Sequence, residues 1–219
     1  MRQAERIQGV RIGIVTQITD PDGPGGKDSK YRIKVWFPWL PSASSSGDQS
    51  YWARICVPMA GPDRGTYFLP EVNDQVLVAF EHGDIRRPII LGAVHSAPQP
   101  PPEGNCDGKN SIREIKSREG HRLIFDDALG KERVILVDKT KKNQIVFDVS
   151  KNEVHVSSAG DIVIEAPTGA VRVHGATLKA GSSGNVTIEA PDITIATKGA
   201  LTCAASATLT LSGGLIKIN

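Results

Sequence analysis

Cysteine is scarce, aromatic residues are few, long apolar runs are missing and neither sign of charge dominates, and each shortage removes a class of protein. The three cysteines of the 219 residues, Cys56, Cys106 and Cys203, are odd in number and far apart. That spacing excludes a disulfide framework and a C-x-x-C metal or redox pair, so they read as reduced bystanders. Nowhere do eighteen apolar residues run together, and the opening MRQAER is charged with no apolar stretch behind it. This predicts synthesis in the cytoplasm without a signal peptide, with any export by another route. Lysine and arginine total 26 against 24 acidic residues, a formal net charge of +2. Residues 1–96 hold 11 basic and 10 acidic side chains, which leaves 15 and 14 for residues 97–219. A one-signed field of the kind that attracts nucleic acid is therefore absent.

What is present is turn chemistry and short β-branched runs. Aromatics are 5%, glycines number 22 and prolines 14, and no helical periodicity stands out, which predicts an all-β chain. Alternating segments at 7–19, 30–37, 51–59, 75–81 and 88–95 are five short strands, the number an OB-type barrel needs. In the second, Tyr31, Ile33, Val35 and Phe37 share one face and Arg32, Lys34 and Trp36 the other; Val76, Val78 and Phe80 align likewise in the fourth. Breaker-rich loops, Asp20 to Gly26, Pro41 to Asp48 and Gly61 to Gly65, separate them as expected mobile tips, and His82-Gly83-Asp84 reads as a hairpin turn.

Residues 96–110, SAPQPPPEGNCDGKN, predict a stiff extended linker. The expected organisation is an OB-fold domain over 1–95, this linker, and a β-helical spike over 111–219. Charged alternating segments at Arg122 to Asp127, Arg133 to Asp138 and Gln144 to Val149 come first. From about residue 145 apolar-x-apolar triplets recur at steps of seven to nine. Those taken as the interior of the spike are Val154 and Val156, Ile162 and Ile164, Val171 and Val173, Val186 and Ile188, Ile193 and Ile195, and Leu209 and Leu211.

Such a repeat is too short to enclose its own core. A strand of three or four residues buries about two side chains, at about 1.5 to 3 kcal/mol each, while each ordered backbone residue costs about 1 to 2 kcal/mol. The deficit closes if each chain supplies one side of a three-sided prism, with the inward side chains of three copies sharing an axis and every strand pairing with a neighbouring chain. Charge also thins outward, since residues 166–219 carry only Arg172, Lys179, Glu189, Asp192, Lys198 and Lys217. That composition suits a smooth, narrow rod.

Catalytic and ligand-binding readings find no support in the residue inventory. Asp126 and Asp127 are adjacent, so on a strand they face opposite ways, which suits solvated or ion-paired carboxylates rather than an acid and base across a cleft. The histidines His82, His95, His121, His155 and His174 are scattered with no partner nucleophile. His155 and His174 fall on the outward parity beside Val154, Val156 and Val173, away from a shared axis. Gly23 to Lys27 (GPGGK) lacks the spacing of a phosphate loop. Neither a cofactor nor a metal is expected. Trp36, Trp39, Tyr51 and Trp52 could stack bases, and the alternative function is an OB-type nucleic-acid binder or a sugar-binding tail-fibre module. The even charge favours protein packing for these aromatics instead.

The run YWARICVPMAGPDRGTYFLPEVNDQVLVAFEHGDIRRPIILGAV, Tyr51 to Val94, resembles the OB core of valine-glycine-repeat (VgrG) spikes and of phage baseplate assembly protein V. RIKVWFPWL, Arg32 to Leu40, is similar to that family's R-x-K-V-x-F-P-W segment, and FDDALGKERV, Phe125 to Val134, resembles the start of its trimeric β-helix. The resemblance implies a homotrimeric, non-enzymatic spike under the tail-tube hub of a contractile machine: a phage tail, an R-type bacteriocin, an extracellular injection system or a type VI secretion system. There it would be assembled into the baseplate, with release from the cell in some of these systems, and be driven into a target envelope. Long members carry a hub before the barrel, so a chain that starts near its first strand implies a separate hub protein. The H-x-H metal motif of some short phage spikes is missing near LSGGLIKIN. An apolar end of that kind implies a PAAR-type tip protein seated on Leu215, Ile216, Lys217, Ile218 and Asn219.

Overall fold

The computed structural model describes residues 6–20, 31–40 and 50–217. The tips expected at 21–26 and 41–48, the Gly23 to Lys27 segment, Ile218 and Asn219 lie outside the described residues. The chain divides into two units, residues 1–162 and 163–219.

The first unit begins with five strands that pair into a closed barrel: β1 (Val10–Gln17), β2 (Arg32–Trp36), β3 (Ser50–Ile55), β6 (Gln75–Phe80) and β7 (Pro88–Ala93). Round the barrel the order is β1-β2-β3-β7-β6, with β3 and β7 parallel and the other pairs antiparallel. That closed five-stranded order is consistent with an OB fold. The alternation read from the sequence is what fills it. Ile33, Val35, Phe37, Val76 and Val78 are fully buried, joined by Val15, Ala53, Ile90 and Phe80. Gly13 sets how closely β1 can cross this core, because a Cβ there would stand 2.3 Å from Val35 Cγ1 and 3.2 Å from the Phe37 ring. Phe37 is the centre of an aromatic cluster, with Trp39 at 5.6 Å, Phe80 at 5.3 Å and Tyr51 at 6.2 Å between ring centroids.

Where β6 turns into β7, His82 and Gly83 both take positive φ (54° and 76°) and the Asp84 N–H closes onto the Glu81 carbonyl. A second turn follows, with the Arg87 N–H on the Asp84 carbonyl, and the Glu81 N–H on the Arg87 carbonyl closes the loop at the strand ends. The Gly61 to Gly65 segment, read as a breaker loop, holds a two-strand ribbon, β4 (Ala60–Gly61) and β5 (Arg64–Gly65). The Pro-rich stretch differs from the straight spacer expected. Ser96 and Gln99 exchange two backbone hydrogen bonds, and Gln99 Nε2 donates to the Asn73 carbonyl and to Asp74 Oδ1. The turn forms because Gln99 keeps the N–H that its proline neighbours lack.

Five further strands form an antiparallel meander: β8 (Ile112–Lys116), β9 (Arg122–Asp126), β10 (Arg133–Val137), β11 (Gln144–Asp148) and β12 (Glu153–Ser157). The first two apolar triplets of the repeat, Ile145 to Phe147 and Val154 to Val156, therefore pair with each other inside one chain, Phe147 opposite Val154 and Ile145 opposite Val156. Within-chain pairing replaces the interchain pairing expected there. The cause is local: Ser150-Lys151-Asn152 closes a turn, with Asn152 at φ 55° and its N–H on the Val149 carbonyl. In the second unit the described residues 163–217 contain no assigned strand, and all of them are exposed.

Candidate assembly surface

Residues directly opposite in an antiparallel ladder point to the same side of the sheet. The registers then place two rows on one face: Ile115, Leu123, Leu136, Ile145 and Val156 in the first, and Arg113, Phe125, Val134, Phe147 and Val154 in the second. Nine of these ten side chains are apolar. Leu123 and Val134 are half-buried, and the other seven apolar ones are exposed, Val154 the most at 62%.

The opposite face has a different composition. Ile124 and Val137 are buried at its centre, 9% exposed each. Around them Arg122 Nε donates to Glu114 Oε2 at 2.6 Å and Arg133 Nη2 donates to Asp126 Oδ2 at 2.9 Å. The hydrogen bond from Arg133 is the main reason the Asp126 carboxyl is held below its ordinary range, aided by the Ala128 N–H. Asp127 meets Arg113 at 2.5 Å, so the adjacent carboxylates are both ion-paired, with different arginines. Glu114, Arg122, Asp126 and Arg133 thus share the reverse face with Ile124, Ile135, Val137 and Val146, while Arg113, the partner of Asp127, sits among the apolar side chains of the first face.

Of the residues assigned to the spike interior, the structure brings Val154 and Val156 onto this apolar face. His155 lies on the reverse, bonded to Glu153 at 2.9 Å, as strand parity requires. The remaining ones, Ile162, Ile164, Val171, Val173, Val186, Ile188, Ile193, Ile195, Leu209 and Leu211, are not drawn into a core within the single chain. With Val154 and Val156 they are 53% to 73% exposed. Val163, of the opposite parity, is 69% exposed, so one chain alone does not choose between the two registers. Leu215, Ile216 and Lys217, expected to receive a cap, are exposed. The apolar face also holds Ile115, Leu123, Phe125, Val134, Leu136, Ile145 and Phe147, which are not among the residues the sequence assigns to the spike interior. The parity of the alternating segments at 122–127 and 133–138 carries Leu123, Phe125, Val134 and Leu136; Ile145 and Phe147 are the first triplet of the repeat; and Ile115 has no sequence signal of this kind.

Other chemistry is sparse. Among the described residues no group of three or more His, Cys, Asp or Glu side chains is placed to hold a metal ion, and no helix is long and apolar enough to cross a membrane. Cys56, Cys106 and Cys203 are free and exposed. Of the four aromatics considered for base stacking, Trp39 and Tyr51 rest on Phe37, and Trp52 lies under the Arg32 guanidinium at 5.9 Å. Arg32 in turn binds both oxygens of the buried Asp20 carboxylate at 2.9 Å. At the other end of the barrel, Arg86 donates side-chain and backbone hydrogen bonds to Asp84, which lowers that carboxyl to about 2.

Comparison with known proteins places this architecture. Residues 11–95 match the family described as the type VI secretion system/phage-baseplate injector OB domain. The type VI secretion system spike protein VgrG3 of Vibrio cholerae is 33% identical over 122 residues, 52% of this chain and 12% of that protein. The actin cross-linking toxin VgrG1 of Vibrio cholerae is 30% identical over 122 residues, 52% of this chain and 11% of that protein. The type VI secretion system spike protein VgrG1b of Pseudomonas aeruginosa is 31% identical over 144 residues, 61% of this chain and 19% of that protein. The chain thus spans less than a quarter of the length of each of these relatives.

Proposed function

The chain belongs to the VgrG and phage baseplate assembly protein V family, and from that premise we propose that it is the central spike of a contractile injection machine, working as a homotrimer that punctures a target envelope. A spike has no substrate to hold. It needs a stiff shaft with a dry interior and an exterior that passes through other material without adhering to it.

One observation supports this reading above the others: the apolar side chains with spike-interior spacing lie 53% to 73% exposed in a single chain. Leaving them in water forgoes about 1.5 to 3 kcal/mol for each large aliphatic side chain. Three copies facing one axis would recover that term and leave outward the weakly charged surface of residues 166–219. The barrel would face the tail-tube hub, and the exposed Leu215 and Ile216 would receive a PAAR-type tip protein. The even charge, net +2, argues against single-stranded nucleic acid as the partner.

The test is the native mass of the purified full-length chain. Three times the 23.4 kDa of one chain is expected. A monomer or dimer across micromolar concentrations would overturn the proposal.

A further inference from the structure

The turn that joins β10 to β11 carries a polar knot centred on Asn143, the residue just before β11. Its main chain is committed to that turn: the carbonyl accepts the Asp138 N–H at 3.1 Å, and the N–H donates to Asp138 Oδ1 at 3.5 Å. Its carboxamide reaches both ways. Nδ2 donates to Asp138 Oδ2 at 2.8 Å, while Oδ1 accepts from Ser158 Oγ at 2.9 Å and from the Ala159 N–H at 3.1 Å. Ser158 and Ala159 are the first two residues after β12. One side chain therefore ties together the ends of three neighbouring strands.

We propose that Asn143 is the positioning residue that pins the register of the edge strand β12. The β11–β12 ladder ends at Gln144 opposite Ser157. A further rung would need the main chain of Asn143, which already serves Asp138, and the carboxamide oxygen supplies the missing acceptor. β12 has a neighbour on one side only, so little else holds its end. A slip of one residue would carry Val154 and Val156 to the reverse face and bring His155 into their place. The turn at Ser150-Lys151-Asn152 sets the start of the strand, and the Asn143 clasp sets its end.

The chemistry selects asparagine. Asp138 also accepts from Thr140 Oγ1, at 2.8 Å and 2.9 Å to its two oxygens. Desolvation pushes its carboxyl up, but the hydrogen bonds from Thr140 and Asn143 outweigh it and hold the group below its ordinary range. Toward that anion the side chain at 143 must donate, and toward Ser158 and Ala159 it must accept. An aspartate would keep the acceptor, lose the donor and set two carboxylates against each other. An alanine would reach neither side.

The experiment uses the full chain carrying Gln144→Cys and Ser157→Cys, with Cys56, Cys106 and Cys203 replaced by serine. Residues 144 and 157 stand directly opposite in this register, a separation that suits a disulfide. The rate of the intrachain disulfide under mild oxidation, read by mass, reports the register. Adding Asn143→Ala or Asn143→Asp is expected to slow it about tenfold, the order set by two lost hydrogen bonds. The exchanged double variant, Asp138→Asn with Asn143→Asp, returns one donor and one acceptor to the same place and is expected to recover the original rate. Hydrogen exchange across β9 and β10 is expected to stay unchanged throughout. An unchanged rate in Asn143→Ala, or no recovery in the exchanged variant, would overturn the pin. Loss of protection across β9 and β10 would overturn it too, by making Asn143 a support of the whole sheet instead of one strand.

Discussion

Ile164→Asp is expected to leave the purified chain monomeric by native mass, whereas Val163→Asp assembles as the unaltered chain does. Both positions are already open to water in a single chain, at 73% and 69% exposure, so neither substitution should disturb the lone protomer. The difference arises only on assembly. In the proposed register Ile164 faces the axis, where three aspartates would stand at one level with no counter-charge. Losing three buried isoleucines and desolvating three unpaired carboxylates is on the order of 10 kcal/mol per trimer, comparable with the whole stability of a domain. Val163 faces outward, and its replacement adds solvated charge. The reverse outcome, in which Val163→Asp dissociates and Ile164→Asp does not, would invert the assigned register.

The second large effect concerns the barrel. Phe37→Ala is expected to destabilise it by about 3 to 5 kcal/mol, read as a lower urea midpoint with an unchanged slope. Phe37 is fully buried and carries the ring contacts to Trp39, Tyr51 and Phe80, so truncation opens a cavity that its β-strand neighbours cannot collapse into. All three tryptophans, Trp36, Trp39 and Trp52, lie in or beside barrel strands, so intrinsic fluorescence reports this unit and not the repeat. A loss below about 1 kcal/mol would show that Phe37 is not the keystone of the core.

The legibility of this protein in its sequence divides along a physical line. Strands whose inner face is covered by their own chain could be read, because burial imposes strict alternation: Ile33, Val35 and Phe37, then Val76, Val78 and Phe80, are spaced as the barrel requires. The ribbon of Ala60–Gly61 with Arg64–Gly65 was invisible, since two residues carry no period. The fold of the Pro-rich stretch around Ser96 and Gln99 was missed because it depends on Asn73 and Asp74, distant in sequence. The apolar face of the meander was only half legible. Parity within each strand was clear, yet which strands oppose one another depends on turn closure, as at Ser150-Lys151-Asn152, and Arg113 interrupts the apolar rows on β8. In the repeat, spacing singles out the side chains proposed to face an axis, and the single chain, with every described residue of 163–217 exposed, does not separate them from their neighbours.

Hydrogen–deuterium exchange of residues 163–217, followed as the protein is diluted, tests that proposal most directly. Strong protection that disappears in step with the loss of the trimer mass is predicted, because the backbone of one isolated chain has no strand pairing there among the described residues. Protection that persists in the diluted monomer would contradict the account, since a solitary repeat would then be holding itself dry.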